Sequence, residues 1–385
     1  MSKTAARPSW QLGEFDKPIV TATYFGFVPI AAPKITEADI EASKHCVHDT
    51  HYDAAEKAAV IRTYLEQNFA NLPHPLALIY KRKKPASYSL HYIGTTSGVA
   101  EAALIRAALS ILSEEGYKNL HVDLNCVGDK ESIVSYEREL INYVKKCSAN
   151  LSEECRRILK EDIFNLFKNN HEEMISIRGG APTALSFLSA QSRLYFKEVL
   201  EFVEALGVDF MLTPELVGEK NDSAHTIFGI RTSGIERELS PEAPDLLAVG
   251  YRYSRLSKRL GFRKELPMAS VTIFCPEKPA EERKIYKELP RPKFYLVQLG
   301  REAKIRTLSL IELLRENRIP VHHFLGKDKL TAQLTSAEQL RVAYLIIIGQ
   351  KEALENTATI RNIQTRAQDT IPMSMLPQYL KHISL

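Results

Sequence analysis

One short stretch constrains this chain more than any other. Residues 276–292 (PEKPAEERKIYKELPRP) hold four prolines among dense charge. Proline removes a backbone donor and breaks helices and central strands. Such a segment reads as a linker between domains, and the hydrophobic pattern changes across it. Beyond it, in residues 293–385, strands alternate with helices: KFYLVQL, then REAKIRTLSLIELLREN; VHHFL, then LTAQLTSAEQL; YLIIIG, then TATIRNI and LPQYLKHI. The apolar run YLIIIG suits a strand buried on both faces. The module is expected to be α/β with a mostly parallel sheet.

Before the linker the pattern is different. Residues 1–18 read as a polar lead-in and 19–275 as an α+β domain built on an antiparallel sheet, with a helical insertion near 148–182. Strands are expected at 19–30 (IVTATYFGFVPI), 76–80, 88–94, 121–128, 208–213, 224–231, 247–253 and 269–275. Helices are expected at 53–70, 98–115, within 129–170, and at 186–206, the last ending at Gly207. The strands at 76–80 and 88–94 flank KRKKPAS and read as a hairpin with a basic tip.

Composition excludes several classes. With 44% hydrophobic and 25% charged residues among 385, the chain is an ordinary globular protein, neither disordered nor fibrous. No apolar run approaches the roughly 18 residues of a membrane span, and MSKTAARPSWQLGEF shows no secretory h-region. The five cysteines (Cys46, Cys126, Cys147, Cys155, Cys275) form no C-x-x-C pair, which argues against a disulfide framework or structural zinc and fits a reducing cytoplasm. The net charge of +4 hides an asymmetry: residues 291–385 carry fourteen Lys and Arg against eight Asp and Glu, whereas the remainder carries 37 against 39. A localised basic module is a footprint of nucleic-acid binding, and also arises as a merely solvated surface.

Several strings resemble histidyl-tRNA synthetases, a family of class II aminoacyl-tRNA synthetases. In the C-terminal module the carriers are GKDKLTAQL, the strand ending IIIGQKE, and TATIRN before a polar turn. In the larger domain they are HYIGTTSGVAEAALIRAAL, LHVDLNCVGDKESIVSYERELINYV and LSFLSAQSRLYFKEVLEFVEALGVDFMLTPELV. The resemblance spans about residues 20–385. It implies a class II antiparallel-sheet core, a C-terminal α/β anticodon-binding-type domain, ATP and magnesium as reactants of an active member, and a homodimer.

The positions that would perform the chemistry are altered. A class II site stabilises charge on the α-phosphate with fixed arginines, whose planar fork matches phosphate oxygens. The family's motif 2 reads Phe-Arg-x-Glu, a loop, then Phe-His-Gln. This chain has YKRKKPASYSLHY, about three residues shorter, which puts Lys81 at the arginine, Lys83 at the glutamate and Tyr92 at the glutamine, with His91 retained. The family's histidine loop aligns without a gap so that Gly218 replaces the catalytic arginine, and Asp222 and Ser223 replace its two tyrosines. Arg252 and Tyr253 survive from the glycine-rich strand, as a residual pocket with His91. Motif 3 places Glu277 at the adenine-stacking arginine, and the family's Arg-Pro-Glu-Gly-Thr element loses its glutamate at Ala55. Motif 1 is largely missing between residues 36 and 52.

The expectation is therefore a synthetase-like protein with a degenerate site, no catalytic residue, no cofactor and no metal, acting by binding tRNA, another structured RNA or a protein partner. Lys81, Arg82, Lys83 and Lys84 at the hairpin tip, and Lys327, Lys329 and Arg361 in the C-terminal module, are the candidate RNA contacts. The alternatives are an active, divergent histidine–tRNA ligase, and an accessory or regulatory subunit of another enzyme. His45, His48 and His51, with Cys46, Asp49 and Asp53, are metal-ligand types at helical spacing, but a polar loop replacing motif 1 is the preferred reading.

Overall fold

The computed structural model describes residues 14–44, 54–69, 76–147, 149, 151–218, 224–232, 246–274 and 284–383. The first part runs β1 (Phe15–Asp16), α1 (Lys17–Tyr24), β2 (Val28–Pro29), α2 (Glu37–Ser43), α3 (Ala54–Glu66), β3 (Leu76–Lys83), β4 (Ala86–Ile93) and α4 (Val99–Glu114). It continues with β5 (Leu120–Gly128), α5 (Lys130–Lys146), α6 (Glu153–Glu161), α7 (Asn165–Lys168), α8 (Glu172–Arg178) and α9 (Ala190–Ala205). Then come β6 (Phe210–Leu212), β7 (Ala224–Thr232), β8 (Leu246–Arg252), α10 (Leu256–Arg259), β9 (Met268–Ile273) and β10 (Ile285–Tyr286). The last part has β11 (Phe294–Gln298), α11 (Arg301–Glu316), β12 (Val321–His323), α12 (Leu330–Leu340), β13 (Tyr344–Ile348), α13 (Gln350–Glu355), β14 (Thr357–Asn362), β15 (Gln368–Pro372) and α14 (Leu376–Ile383).

Among the described residues the larger sheet has eight strands in the order β2-β3-β4-β9-β8-β7-β5-β6. Its five central pairings, from β3–β4 to β7–β5, are antiparallel, and only the flanking pairs β2–β3 and β5–β6 are parallel. Alternate residues of each strand face opposite sides. One side carries Ile79, Leu90, Val271, Ala248, Phe228 and Leu124 into a core shared with α1, α4 and α9. The other carries Leu78 and Met268 against α3, and Val127, Ile227 and Val249 against the helices α5–α8.

The string IVTATYFGFVPI, expected as a strand, forms α1 followed by the two-residue β2. Pro18 occupies the first helical turn, where its missing N–H costs nothing. Ile19, Val20 and Ala22 are buried in the helix-covered core, so tertiary burial overrides β-branched preference. The N-C-V-G-D string behaves as a designed turn. Gly128 has φ +76°, and a Cβ there would lie 2.5 Å from Ser132 and 2.8 Å from Leu188. Asp129 then caps α5 by accepting from the Ser132 N–H at 2.9 Å.

The C-terminal sheet runs β12-β11-β13-β14-β15. It is mixed, not mostly parallel: β11 pairs in parallel with β12 and β13, while β13–β14 and β14–β15 are antiparallel. A parallel crossover needs about a dozen residues or more. Only residues 349–356 separate β13 from β14, and Asn356 turns the chain with φ +54°.

The two parts are docked. Glu312 of α11 accepts from Arg315 at 2.8 and 2.9 Å and from Ser110 of α4, and is ion-paired to Arg106; Arg315 also reaches Glu114. Residues 284–292 are likewise engaged, because β10 pairs with β1 and Tyr286 and Leu289 pack on the core. His323, at the end of β12, is buried 3.1 Å from where a Cβ on Gly26 would sit. Burial pushes its pKa from 6.5 down to about 4. The unfolded chain therefore binds this proton more readily than the folded one between about pH 6.5 and 4. Stability is full above that window and falls as pH drops through it, by on the order of 3 kcal/mol for this group. Denaturant titration at pH 7.5 and 5.0 is expected to show the loss, and His323→Gln to show a shallower one.

Candidate functional site

The β3–β4 hairpin decides what each expected site residue faces. Directly opposed residues share a face, and the register pairs Lys81 with Tyr88 and Ala77 with Tyr92, but Tyr80 with Ser89, Arg82 with Ser87 and Leu78 with His91. His91 and Arg82 thus lie on one face, Lys81 and Tyr92 on the other. Lys81 and Tyr92, set by the motif comparison at the arginine and at the glutamine, thus share a face, and His91 lies on the other with Arg82.

On the His91 face, buried polar groups form a closed chain. Tyr80 Oη donates to Glu56 Oε1 at 2.6 Å, Ser89 Oγ donates to the same oxygen at 3.0 Å, and Arg82 Nη1 donates to Oε2 at 2.7 Å. His91 Nε2 lies 3.1 Å from Tyr80 Oη, and its Nδ1 lies 2.7 Å from Tyr253 Oη. Since Tyr80 spends its proton on Glu56, it accepts from His91 Nε2–H, and Nδ1 accepts from Tyr253. This neutral tautomer agrees with burial and the nearby Lys57 cation, which hold the His91 pKa well below 6.5. Burial, and then the Glu56 charge, raise the Tyr80 hydroxyl well above its usual value. The Lys57 ammonium sits 5.7 Å from the Tyr253 ring centre. Glu56 was not singled out from the sequence, although a Glu-Lys pair inside the alanine-rich run AAEKAA of α3 was a signal: both residues are buried there.

The opposite face holds the remaining groups. Lys81 Nζ lies 3.1 Å from Asp16 Oδ2, and the Tyr88 hydroxyl donates to the same carboxylate. Tyr92 points at the C-terminal module, where the backbone at Leu325 and Gly326 reaches its hydroxyl. Arg252, expected beside Tyr253 and His91, is also here. Its Nε and Nη2 donate to the two oxygens of Glu101 at 2.7 and 2.8 Å, and Nη1 donates to the Thr95 carbonyl at 2.9 Å. Tyr195 donates to Glu101 and lies under the guanidinium. Consecutive residues of a strand alternate faces, so Arg252 and Tyr253 could not share a pocket.

Gly218, where the family has an arginine, is buried at the end of a segment fixed by Asn125, whose Nδ2 donates to the Pro214 and Leu216 carbonyls at 3.1 and 2.9 Å. It supplies no cation. Glu277, Asp222, Ser223 and the His45–Asp53 cluster lie outside the described residues. Of the expected RNA contacts, Lys83 and Lys84 are exposed at the hairpin turn, as are Lys329 and Arg361. Lys327 is engaged internally: its Nζ donates to Ser336 Oγ at 2.6 Å and lies 5.0 Å from the Phe324 ring centre, and burial lowers its pKa. Cys155, His171 and Glu173 bring candidate ligand atoms within 4.8 Å of one another. Glu173 already accepts from the Ser152 N–H at 2.7 Å and so serves the start of α6.

Residues 293–383 match the Anticodon binding domain family. The histidine–tRNA ligase of Bacillus licheniformis is 26% identical over 344 residues, covering 84% of this chain and 79% of that protein. That of Chlorobium phaeobacteroides is 23% identical over 353 residues, covering 85% and 79%. Over most of its length the chain is thus similar to histidine–tRNA ligases. The apo histidyl-tRNA synthetase of Staphylococcus aureus has the same fold, with a TM-score of 0.50 at 22% identity over 93% of this chain and 92% of that one. The antiparallel core and the C-terminal module thus have the fold seen in that synthetase, while polar groups in the core are paired with one another. No described helix is long and apolar enough to cross a membrane.

Proposed function

We propose that this protein does not activate histidine and acts by binding tRNA. The observation that carries the reading is the state of the two cations on β3: Arg82 is neutralised by Glu56, and Lys81 by Asp16. Activation of an amino acid by ATP builds negative charge at the α-phosphate, and the site must offer cations already aimed at it. A cation held at 2.7 Å by a buried carboxylate is occupied. Removing it for a phosphate would leave Glu56 buried and charged, which costs several kcal/mol. Both cations of β3 are therefore engaged by carboxylates of this chain rather than offered to an ATP phosphate.

The domain that matches anticodon-binding modules, and the basic balance of residues 291–385, support tRNA as the partner. Filter binding of the full chain to unfractionated tRNA at 50 and 200 mM salt tests this. Binding through several phosphates should weaken by a factor of about 10³ or more over that range, since each contact contributes a slope near −0.9 in log–log form. Absent or salt-independent binding would count against it.

A further inference from the structure

We infer that the helical insertion holds one zinc ion, bound by Cys155, His171 and Glu173 with a water in the fourth position. Their candidate ligand atoms, a thiol sulfur, a ring nitrogen and a carboxylate oxygen, all lie within 4.8 Å of one another. Zinc accepts this mixture of donors in a tetrahedral shell, at about 2.3 Å for sulfur and about 2.0–2.2 Å for nitrogen and oxygen. Such bond lengths put ligand atoms roughly 3.5 Å apart, so side-chain adjustments of about 1 Å close the shell. The sulfur donor favours zinc over magnesium or calcium, which take oxygen ligands. Cys155 lies on α6 and the other two at the start of α8, so no C-x-x-C spacing announces the group in the sequence.

The surroundings prepare each ligand. Cys155 is buried, whereas His171 and Glu173 reach solvent and leave a path for the ion. Cys155 sits in the first turn of α6, where unpaired N–H groups favour a thiolate. Glu173 Oε2 accepts from the Ser152 N–H at 2.7 Å, which orients the carboxylate and leaves its other oxygen for the metal. Ser152 Oγ in turn accepts from the Cys155 N–H at 3.3 Å, so one residue aligns two ligands. His171 precedes α8 without capping it through its side chain. Its own N–H donates to Asn169 Oδ1 at 3.0 Å, which sets the turn that carries the imidazole. A simpler reading makes Cys155 a small core residue and Glu173 a partner for the start of α6. That reading accounts for two of the three groups and leaves the imidazole beside them unexplained. The Cys155 thiol already reaches the Glu173 carboxylate through its proton. Zinc replaces that proton, which leaves to solvent, and joins the same two groups. The ion then staples the start of α6 to the start of α8, in an insertion whose helices are short.

The test uses the untagged full-length protein, reduced and stripped of metal, with cobalt(II) as the spectroscopic stand-in for zinc. One equivalent should bind and give the visible bands of tetrahedral cobalt together with a thiolate-to-cobalt charge-transfer band, and added zinc should displace it. Cys155→Ala should abolish the charge-transfer band. His171→Ala, and Glu173→Gln, which keeps an acceptor for Ser152, should each weaken binding by more than the about tenfold that loss of an outer partner costs. His171 is at the surface, so its variant keeps the test valid if Cys155→Ala folds poorly; every variant is checked for native circular dichroism. Cys46→Ala should change nothing, which separates this site from the His45–Asp53 cluster. Zinc should also raise the thermal midpoint of the intact chain and not that of His171→Ala. Absence of the charge-transfer band at one equivalent of cobalt, its survival in Cys155→Ala, or cobalt affinity unchanged in His171→Ala would overturn the inference.

Discussion

Replacing Glu101 with alanine is expected to destabilise the protein by about 3–5 kcal/mol, the range seen when one partner of a buried ion pair is removed. The side chains of Arg252 and Glu101 are 4% and 0% exposed. Without the carboxylate, a guanidinium is left in the core beneath α4 with only the Thr95 and Ser97 carbonyls to receive its protons. Tyr195 loses its acceptor at the same time. Arg252→Lys should cost nearly as much as Arg252→Ala, because an ammonium cannot span both carboxylate oxygens. A double-mutant cycle in chemical denaturation measures the coupling. A residue serving only a substrate would show none. The result bears on function because Arg252 is a family-like residue that survives here in a structural role.

The second large effect concerns Glu56. Glu56→Ala removes the acceptor of Tyr80, Ser89 and Arg82 together. Two of those donors are fully buried, whereas the Arg82 side chain is 19% exposed and can turn towards water. The expected loss is about 2–3 kcal/mol, smaller than for Glu101 for that reason. Glu56→Gln should cost less, because an amide oxygen still accepts from Tyr80. Neither variant should alter tRNA affinity by more than about twofold if RNA binds the C-terminal module. A tenfold loss in a folded Glu56→Gln protein would instead tie RNA binding to the core.

Much of the fold was legible in the sequence. The strands from β3 to β9 and the long helices α3, α4, α5 and α9 follow from alternation and helical periodicity, and the N-C-V-G-D string was carried by the family resemblance. α1 was not legible, because its β-branched residues fit a strand locally and only packing against α4 makes them a helix. The antiparallel half of the C-terminal sheet was missed because the decisive fact is the shortness of one connection. At the site the limit was parity. A motif comparison set Lys81 and Tyr92 at the arginine and glutamine positions, but which side chains share a face with His91 depends on hairpin register, and no single strand reveals its register. The neutralising acids, Glu56 and Asp16, come from distant elements. Their pairing exists only in three dimensions.

The central claim is that the cations of the core are committed to carboxylates and so do not serve ATP. Histidine-dependent exchange of radiolabelled pyrophosphate into ATP, with purified full-length protein and magnesium, tests it directly. The expected result is exchange no faster with histidine than without it. Clear histidine-dependent exchange, abolished by Arg82→Ala, would contradict the account and make Arg82 a catalytic residue.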